Sequence, residues 1–380
     1  MPEAVIVSAV RTPVGKRGGG LASVHPADLS AAALNGAVER AGIEPDVVDD
    51  VIWGCVGQVG EQTFDIGRTA VLAAGWPEHI PGVTIDRQCG SSQQSLHFAV
   101  AGVVAGHYDV AVAGGVESMS RVPLGAAVGD AWPFGEHFRA RYGDDFPNQG
   151  VGAEMIAQRW GLDRTTLDSY ALRSHERAHA AQQAGLFEDE IVEVATAEGR
   201  ITQDEGIRPG GTLDKLATLK PAFAEDGVIH AGNASQISDG ASAAVVMSAE
   251  RADALGVTPI ARVHTAVVTG DDPIIMLTGP IPATAKVLAK SGLSISDIGA
   301  FEVNEAFASV PLAWQHEYGV DDALLNPRGG AIALGHPLGG SGGRLLATLI
   351  AHLRANGIRY GLQTMCEGGG QANATIIEAL

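Results

Sequence analysis

The sequence predicts an α/β fold built from two similar halves. Short β-rich segments alternate with alanine-rich helical segments, and the second half of the chain repeats the order of elements in the first. With 46% hydrophobic residues among 380, the chain has enough apolar side chains to bury the cores of about two domains.

The alternation is clearest in the first 118 residues. Strands are predicted at 4–10, 50–54, 83–86 and 109–115. A helix is expected over 27–41, behind Pro26, because small and apolar residues recur there on one face. A second helix is expected over 90–106, with Gly106 as its stop.

Three segments of the first half recur in order in the second. They are 45–54 with 295–307, 89–106 with 335–357, and 107–119 with 359–372. The alignment predicts that Cys89 and His336 occupy equivalent positions where a glycine-rich loop enters a helix. A chance resemblance between two α/β domains is the alternative, because glycine turns after strands are common.

The repeat also predicts an insertion. After its glycine turn the second half continues directly into a last strand, whereas the first half reaches the corresponding segment, 241–248, only after about 110 further residues. We therefore expect an N-terminal half made of residues 1–118 plus 231–250, an inserted domain at 119–230 and a C-terminal half at 251–380. The helix-prone stretch 165–187 belongs to the insertion, which is expected to cover a pocket between the halves.

Composition excludes several classes of function. A formal net charge of -19 disfavours nucleic acid and anionic membrane as partners. The N-terminal apolar run lacks a basic leader and no segment is long enough to span a membrane, so a cytoplasmic protein is expected. Cys55, Cys89 and Cys366 fit neither a disulfide framework nor a zinc-binding pattern, which indicates reduced thiols and no metal.

Cys89 is the first candidate for chemistry. It follows a predicted strand and opens a helix, where free backbone N–H groups and the helix dipole stabilise a thiolate. His336 and Cys366 also lie in glycine-dense loops, and a histidine and a second thiol are suitable proton carriers for carbon–carbon chemistry next to a thioester. A buried core cysteine is the plain alternative for Cys89, and a cysteine protease would not explain Cys366.

Two further features suit the binding of an oxyanion. Asn304 directly follows a predicted strand, where its amide can hold a water that hydrogen-bonds a thioester oxygen. A helix cap is an equally good explanation of that asparagine. The glycine turn 368–370 offers backbone N–H donors, although an ordinary turn at a strand end has the same composition.

Four motifs in one order make the chain resemble the thiolase family nearly end to end. They are DRQCGSSQ around Cys89, NEAFA beginning at Asn304, GHPLGGSG around His336 and CEGGGQ beginning at Cys366. The segments at 5–15, 114–120, 231–235 and 276–284 are also similar to thiolase segments. The resemblance implies two βαβαβαββ halves packed as five α-β-α-β-α layers, with a CoA-binding loop domain inserted in the first half.

The resemblance also implies roles. Cys89 would be acylated, His336 would activate it, Cys366 would protonate the leaving acetyl-CoA enolate, and Asn304 would hold the water of one oxyanion hole. The backbone N–H groups of Cys89 and Gly368 would form a second hole.

The ligand contacts follow from the same resemblance. CoA, a co-substrate and not a resident cofactor, would contact Arg208, Leu219, Phe223 and Ser235. Met276 and Phe307 would line the acyl pocket. Arg208 would add positive charge together with Lys215 and Lys220, unless those two lysines are simply solvated.

The sequence departs from the family pattern near the nucleophile and the pocket. Asp86 and Gly90 stand where asparagine and serine are usual, Gln149 stands for methionine, and Glu367 replaces an apolar residue beside Cys366. We expect catalysis to survive these changes and acyl specificity to be affected.

The main hypothesis is a degradative 3-ketoacyl-CoA thiolase of β-oxidation, acting on fatty acyl, branched or steroid side-chain substrates. It is favoured by residues 120–150, which do not resemble the tetramerisation loop of biosynthetic acetoacetyl-CoA enzymes. Within them, residues 133–150 are expected to form a lid that could admit a bulky acyl chain. Claisen condensation by the same residues and an acyl-CoA carrier without activity are the alternatives. The family resemblance implies a homodimer or homotetramer.

Overall fold

The computed structural model describes residues 2–143 and 148–380. The strands are β1 (Ala4–Arg11), β2 (Gly15–Lys16), β3 (Asp50–Gly54), β4 (Gly82–Ile85), β5 (Val110–Ser118), β6 (Val194–Thr196), β7 (Gly199–Ile201), β8 (Ser238–Ser248), β9 (Ala261–Gly270), β10 (Ala300–Val303), β11 (Tyr360–Glu367) and β12 (Gln371–Ala379). The α-helices are α1 (Pro26–Ala41), α2 (Ile66–Ala73), α3 (Ser91–Ala105), α4 (Glu136–Tyr142), α5 (Gln149–Arg159), α6 (Arg164–Gln183), α7 (Leu213–Ala217), α8 (Ala249–Leu255), α9 (Pro280–Ser291), α10 (Ser309–Tyr318), α11 (Ala331–Leu334) and α12 (Ser341–Asn356).

The main strands form two runs with the same topology. One run has the order β4-β3-β5-β8-β1 and the other β10-β11-β12-β9, and the only residue pair between β1 and β9 is Ile6 with Ala261. Each run begins with parallel pairing, in two pairs of the first run and one of the second, and the last two pairs of each run are antiparallel. A parallel bridge from Phe301 to Leu325 stands where the second run would have its counterpart of β4. The predicted duplication is confirmed.

The two runs are separated and flanked by helices, which gives five layers. Helices α1 and α2 pack with the first run around Leu29 and Trp53. Helices α3 and α12 lie between the runs, where Leu96 and Leu346 share a core with residues of both. Helices α9 and α10 cover the second run, next to Trp314. This arrangement confirms the α-β-α-β-α prediction.

Close backbone approach between the halves depends on glycine. A Cβ built on Gly115 of β5 would lie 2.2 Å from the carbonyl oxygen of Gly339, and one built on Gly339 would lie 2.3 Å from the carbonyl of Val116. No real Cβ is tolerated at such distances, so only glycine lets the loop before α12 reach β5. This contact brings the His336 loop to the first half.

The segment between β5 and β8 carries α4 to α7 and the small hairpin of β6 and β7. A buried ion-pair cluster fastens it to β1, because Arg11 Nε lies 2.6 Å from Glu190 and its Nη1 lies 2.7 Å from Asp204. The predicted helix at 165–187 is confirmed as α6, which ends at Gln183.

Among residues 2–143 and 148–380, no helix has the length and apolar character needed to cross a membrane. Within the same ranges, no group of three or more His, Cys, Asp or Glu residues is arranged to hold a metal ion.

Candidate active site

Cys89 lies in a tight turn between β4 and α3. Gln88, just before it, has a φ of 48°, and its backbone N–H donates to Asp86 Oδ1 at 2.6 Å. The hydroxyl of Ser91, the first residue of α3, donates to the Gln88 carbonyl at 2.6 Å. These bonds stabilise the left-handed backbone conformation of Gln88, which is otherwise unfavourable for a residue with a side chain. They also fix Cys89 at the start of the helix.

The Cys89 thiol is uncharged in the resting protein. Burial, and then the negative charge of Glu367, raise its pKa to about 12, although the backbone N–H groups of Cys89 and Gly368 act in the opposite direction. The helix entry was predicted to stabilise a thiolate, but the side chain is only 4% exposed and desolvation outweighs the N–H groups. The thiol therefore needs a base when it reacts.

His336 has the hydrogen bonds of such a base. Its Nδ1 lies 2.6 Å from the Ser341 hydroxyl, which in turn donates to the Pro337 carbonyl at 2.8 Å. Because a hydroxyl has one proton to donate, Nδ1 carries hydrogen and Nε2 keeps its lone pair. Burial, and then Arg344, lower the pKa of His336 to about 3, so the ring is neutral.

One detail of the predicted repeat is wrong for His336. Gly90 alone separates Cys89 from α3, whereas residues 337–340, with a 3-10 turn, separate His336 from α12. The two helix starts do correspond, because Ser91 and Ser341 each begin their helix. It is therefore Gly339, and not His336, that stands at the position equivalent to Cys89.

Asn304 follows the last residue of β10. Its backbone N–H donates to the Thr364 carbonyl on β11 at 3.1 Å, and its Nδ2 lies 3.3 Å from His336 Nε2. It does not cap a helix, because α10 begins only at Ser309 with Ala308 as its cap. The buried Oδ1 has no hydrogen-bond partner among the described residues, which suits an amide that binds a water or a ligand.

Glu305, which sequence reasoning missed, holds Asn304 in place. Its buried carboxylate accepts hydrogen bonds from the Tyr170 hydroxyl at 2.9 Å, the Ser174 hydroxyl at 2.7 Å and the Ile332 backbone N–H at 3.1 Å. These donors lie on α6 and α11, so the inserted segment and the His336 region both fasten the residue beside Asn304. Its place in NEAFA next to Asn304 was the only available signal.

Cys366 faces Cys89 from β11. It is 1% exposed, and its pKa is raised first by burial and then by the charge of Cys89. The turn that follows has left-handed glycines, Gly369 with a φ of 80° and Gly370 with a φ of 72°. It returns the chain into β12 and leaves the N–H of Gly368 directed at the Cys89 sulfur.

The predicted chemical residues thus form one cluster. Cys89, Cys366 and Gly368 are linked electrostatically and by the N–H contact, while Asn304 is linked to His336. The two groups meet on adjacent strands, since Asn304 bonds the carbonyl of Thr364 on β11. Cys55, by contrast, is fully buried in the core between the first sheet run and its outer helices.

Residues 4–250 match the family model described as thiolase, N-terminal domain, and residues 257–379 match that of the thiolase C-terminal domain. The chain belongs to the thiolase family.

Relatives extend along the whole thiolase chain. Steroid 3-ketoacyl-CoA thiolase FadA6 of Mycobacterium tuberculosis is 51% identical, over 100% of this chain and 95% of the relative. A 3-ketoacyl-CoA thiolase of Bacillus subtilis is 41% identical over 100% of both chains. The crystal structure of the Bacillus anthracis acetyl-CoA acetyltransferase superposes with a TM-score of 0.90 at 38% identity, covering 100% of this chain and 99% of that one.

The predicted acyl-pocket residues of this thiolase lie beside the cluster. Phe307 meets the Phe223 ring edge to face at 5.9 Å between centroids. A Cβ on Gly150 would lie 2.2 Å from that same Phe223 ring. Met276 is buried with a φ of 60°, and its backbone N–H donates to the Asp272 carbonyl at 2.9 Å. The preceding residue, Asp271, donates its backbone N–H to the Gly370 carbonyl of the glycine turn at 2.6 Å.

The predicted CoA contacts gather around the segment 230–236. Ser235 donates its backbone N–H to Ala306 at 2.9 Å, next to Phe307. Arg208 Nη2 lies 3.4 Å from Gln236 Oε1. A Cβ on Gly232 would meet the Leu219 side chain at 2.9 Å. Ser235 and Phe223 therefore lie next to residues that closely follow Asn304, whereas Arg208 and Leu219 lie beside Gln236 and Gly232.

The lid predicted at 133–150 is partly described. Phe134 and Phe138 stack with centroids 4.2 Å apart, and Tyr142 follows at 4.9 Å from Phe138. Residues 144–147 of the predicted lid lie outside the described residues. Gln149 is the first residue of α5, and it is half-buried beside Gly150.

Proposed function

We propose that this thiolase is an acetyl-CoA C-acyltransferase that cleaves a 3-oxoacyl-CoA with CoA in β-oxidation, giving acetyl-CoA and a shortened acyl-CoA. The single observation that carries the proposal is the cluster of Cys89, His336, Asn304 and Cys366. The relatives named 3-ketoacyl-CoA thiolase, similar along the full chain, support it.

In the first half-reaction Cys89 attacks the 3-oxo carbon while its proton passes to Nε2 of His336. The bond between carbons 2 and 3 then breaks, leaving an acyl group on sulfur and the enolate of acetyl-CoA. Cys366 donates its proton to that enolate. The proposal is supported by the neutral resting states of both thiols and of the ring, which leave each proton on its donor.

In the second half-reaction CoA enters and gives its thiol proton to the Cys366 thiolate. The CoA sulfur attacks the acyl carbon, the thiolate of Cys89 leaves, and His336 returns its proton to Cys89. All protons and charges are then restored. Each of the two cysteines thus loses one proton and regains one proton during one turnover.

Two oxyanion sites stabilise the developing charges. We assign the first to a water held by Asn304 near His336 Nε2, since the amide Nδ2 lies 3.3 Å from that ring nitrogen and the amide Oδ1 has no partner among the described residues. The second consists of the backbone N–H groups of Cys89 and Gly368, which already act on the Cys89 sulfur.

We assign CoA binding to Arg208, Leu219, Phe223 and Ser235, and the acyl pocket to Met276 and Phe307. We also propose that the chain is divided into an N-terminal half at 1–118 plus 231–250, an inserted CoA-binding domain at 119–230 and a C-terminal half at 251–380. Cytoplasmic location and a homodimer or homotetramer complete the proposal. No step requires a metal ion, and CoA acts only as co-substrate.

The class of acyl group that the enzyme accepts can be tested with one panel of substrates. The relative at 51% identity is named a steroid thiolase, which favours a bulky acyl group. Thiolysis should be measured with 3-oxoacyl-CoA chains of graded length and with a CoA ester carrying a steroid ring. The expected result is measurable thiolysis with bulky esters, and its near-complete loss in Cys89→Ala. Full activity of Cys89→Ala would overturn the proposal.

A further inference from the structure

Glu367 is a buried carboxyl group for which the reaction above has no role. Its side chain has no exposed surface, and neither oxygen receives a hydrogen bond of normal geometry from the described residues. An unsatisfied buried carboxylate is costly, so a group retained in this position requires a physical explanation.

The carboxyl occupies space that Gly90 leaves open beside the nucleophile. A Cβ built on Gly90 would lie 1.9 Å from Glu367 Oε1 and 2.2 Å from Asn373 Oδ1. Any side chain at position 90 would therefore collide with this carboxyl, so Gly90 and Glu367 fit each other in space.

The same geometry places two acceptor oxygens against each other. Glu367 Oε1 and Asn373 Oδ1 both lie within 2.2 Å of one point, and both are without a partner among the described residues. Two acceptors repel unless a proton lies between them, and a protonated Glu367 supplies that proton. The proximity of these two unpartnered acceptors therefore favours the neutral carboxylic acid.

Two charged residues of the loop before Cys89 act on this carboxyl. The pKa of Glu367 is raised to about 8, chiefly by burial. Arg87 and the Asn373 backbone N–H oppose this rise, and the charge of Asp86 adds to it. Arg87 does not neutralise it by direct pairing, since its Nη1 donates to Gln371 Oε1 at 2.8 Å. The thiols of Cys89 and Cys366 are two further titratable groups that respond to the charge of Glu367.

We propose that Glu367, seated in the space left by Gly90 and within reach of Asn373, is a titrating positioning residue that controls formation of the Cys89 thiolate. As the neutral acid it places no charge beside the sulfur. When it releases its proton to solvent, its carboxylate opposes ionisation of Cys89. The effect of Glu367 on turnover rests on the proposed function. Its effect on the Cys89 thiolate does not, because thiolate formation is measurable without a substrate.

The test is the rate at which iodoacetamide alkylates Cys89, followed by mass spectrometry of its peptide, in the intact protein between pH 6 and pH 9.5. Far below its own pKa, a thiol reacts tenfold faster for each unit of pH. In the unmodified protein we expect this rise to become shallower above about pH 8, where Glu367 ionises. A rise that continues unchanged through pH 9 would overturn the proposal.

Glu367→Gln provides the second measurement. At pH 6 the variant should react at the rate of the unmodified protein, and at pH 9 at least about threefold faster, because the opposing carboxylate is absent. A ratio that is the same at every pH would indicate a merely structural role and would also overturn the proposal. If the variant does not fold, the profile of the unmodified protein still decides.

Glu302→Gln is the matched control. Glu302 is also buried, and burial likewise raises its pKa to about 8, but it is not among the groups that act on Cys89. Its replacement should leave the shape of the Cys89 profile unchanged. Absence of thiolysis in a protein that shows the expected profile would contradict the proposed function alone, so the two failures are distinguishable.

Discussion

The His336 ring is oriented by Ser341, whose hydroxyl lies 2.6 Å from Nδ1 and is itself oriented by the Pro337 carbonyl. This relationship leaves Nε2 as the free base. Ser341→Ala removes the acceptor that selects this tautomer, so we expect kcat/KM for thiolysis to fall by about 10- to 100-fold, less than the loss on removing a general base outright.

A matched serine provides the control for that variant. Ser30 in α1, an outer helix of the first half, donates to the Pro26 carbonyl at 2.8 Å and accepts from the Trp53 ring N–H at 3.2 Å. Ser30→Ala should cost similar stability and leave kcat/KM unchanged. Equal kinetic losses in the two variants would refute the role given to Ser341.

Asn304→Ala tests the first oxyanion site. The variant loses the amide whose Nδ2 lies 3.3 Å from His336 and whose Oδ1 is unpartnered. We expect kcat to fall by about 10²- to 10³-fold with little change in KM, as for loss of one oxyanion-hole donor. Steady-state thiolysis with one 3-oxoacyl-CoA measures both constants. A rise in KM alone would instead place Asn304 in ground-state binding.

Much of this arrangement could be predicted from sequence, because strand periodicity, glycine stops and the repeat are local or pairwise patterns. The position of His336 could not, since the 3-10 turn at 338–340 shifts it away from the helix start. Ser341 could have been predicted, because it aligns with Ser91 at the start of the equivalent helix. The contact of Gly90 with Glu367 depends on how α3 meets β11, which no local pattern encodes.

Glu367→Gln should change stability in a pH-dependent way. The folded-state pKa of Glu367 is about 8, against an ordinary value of 4.5, so between these values the folded protein binds more protons than the unfolded chain. This group therefore lowers stability as pH rises through that window. The variant should match the unmodified protein near pH 4.5 and exceed it in Tm most above pH 8.

Glu378→Gln gives the opposite sign and serves as the comparison. Although burial opposes them, hydrogen bonds from Arg262 and Arg359 hold the pKa of Glu378 below its ordinary value. Its stabilising contribution is present above the unfolded pKa and lost as pH falls, so its replacement should lower Tm at neutral pH. Thermal unfolding of both variants across pH checks the two signs. A Glu367→Gln protein that is less stable than the unmodified one at pH 8.5 would contradict the expected sign.

Gly150→Ala tests whether Phe223 borders the substrate. The new Cβ would lie 2.2 Å from the Phe223 ring, which must therefore move away from Phe307. Phe223 is 37% exposed and free to turn outward, so the fold should survive while the contact with the acyl-CoA is lost. Loss of a contact made equally in ground and transition states raises KM and leaves kcat unchanged, here by about tenfold for roughly 1.4 kcal/mol. Val151→Ala, at the exposed neighbouring position, should change neither constant, and an unchanged KM in Gly150→Ala would remove Phe223 from the binding site.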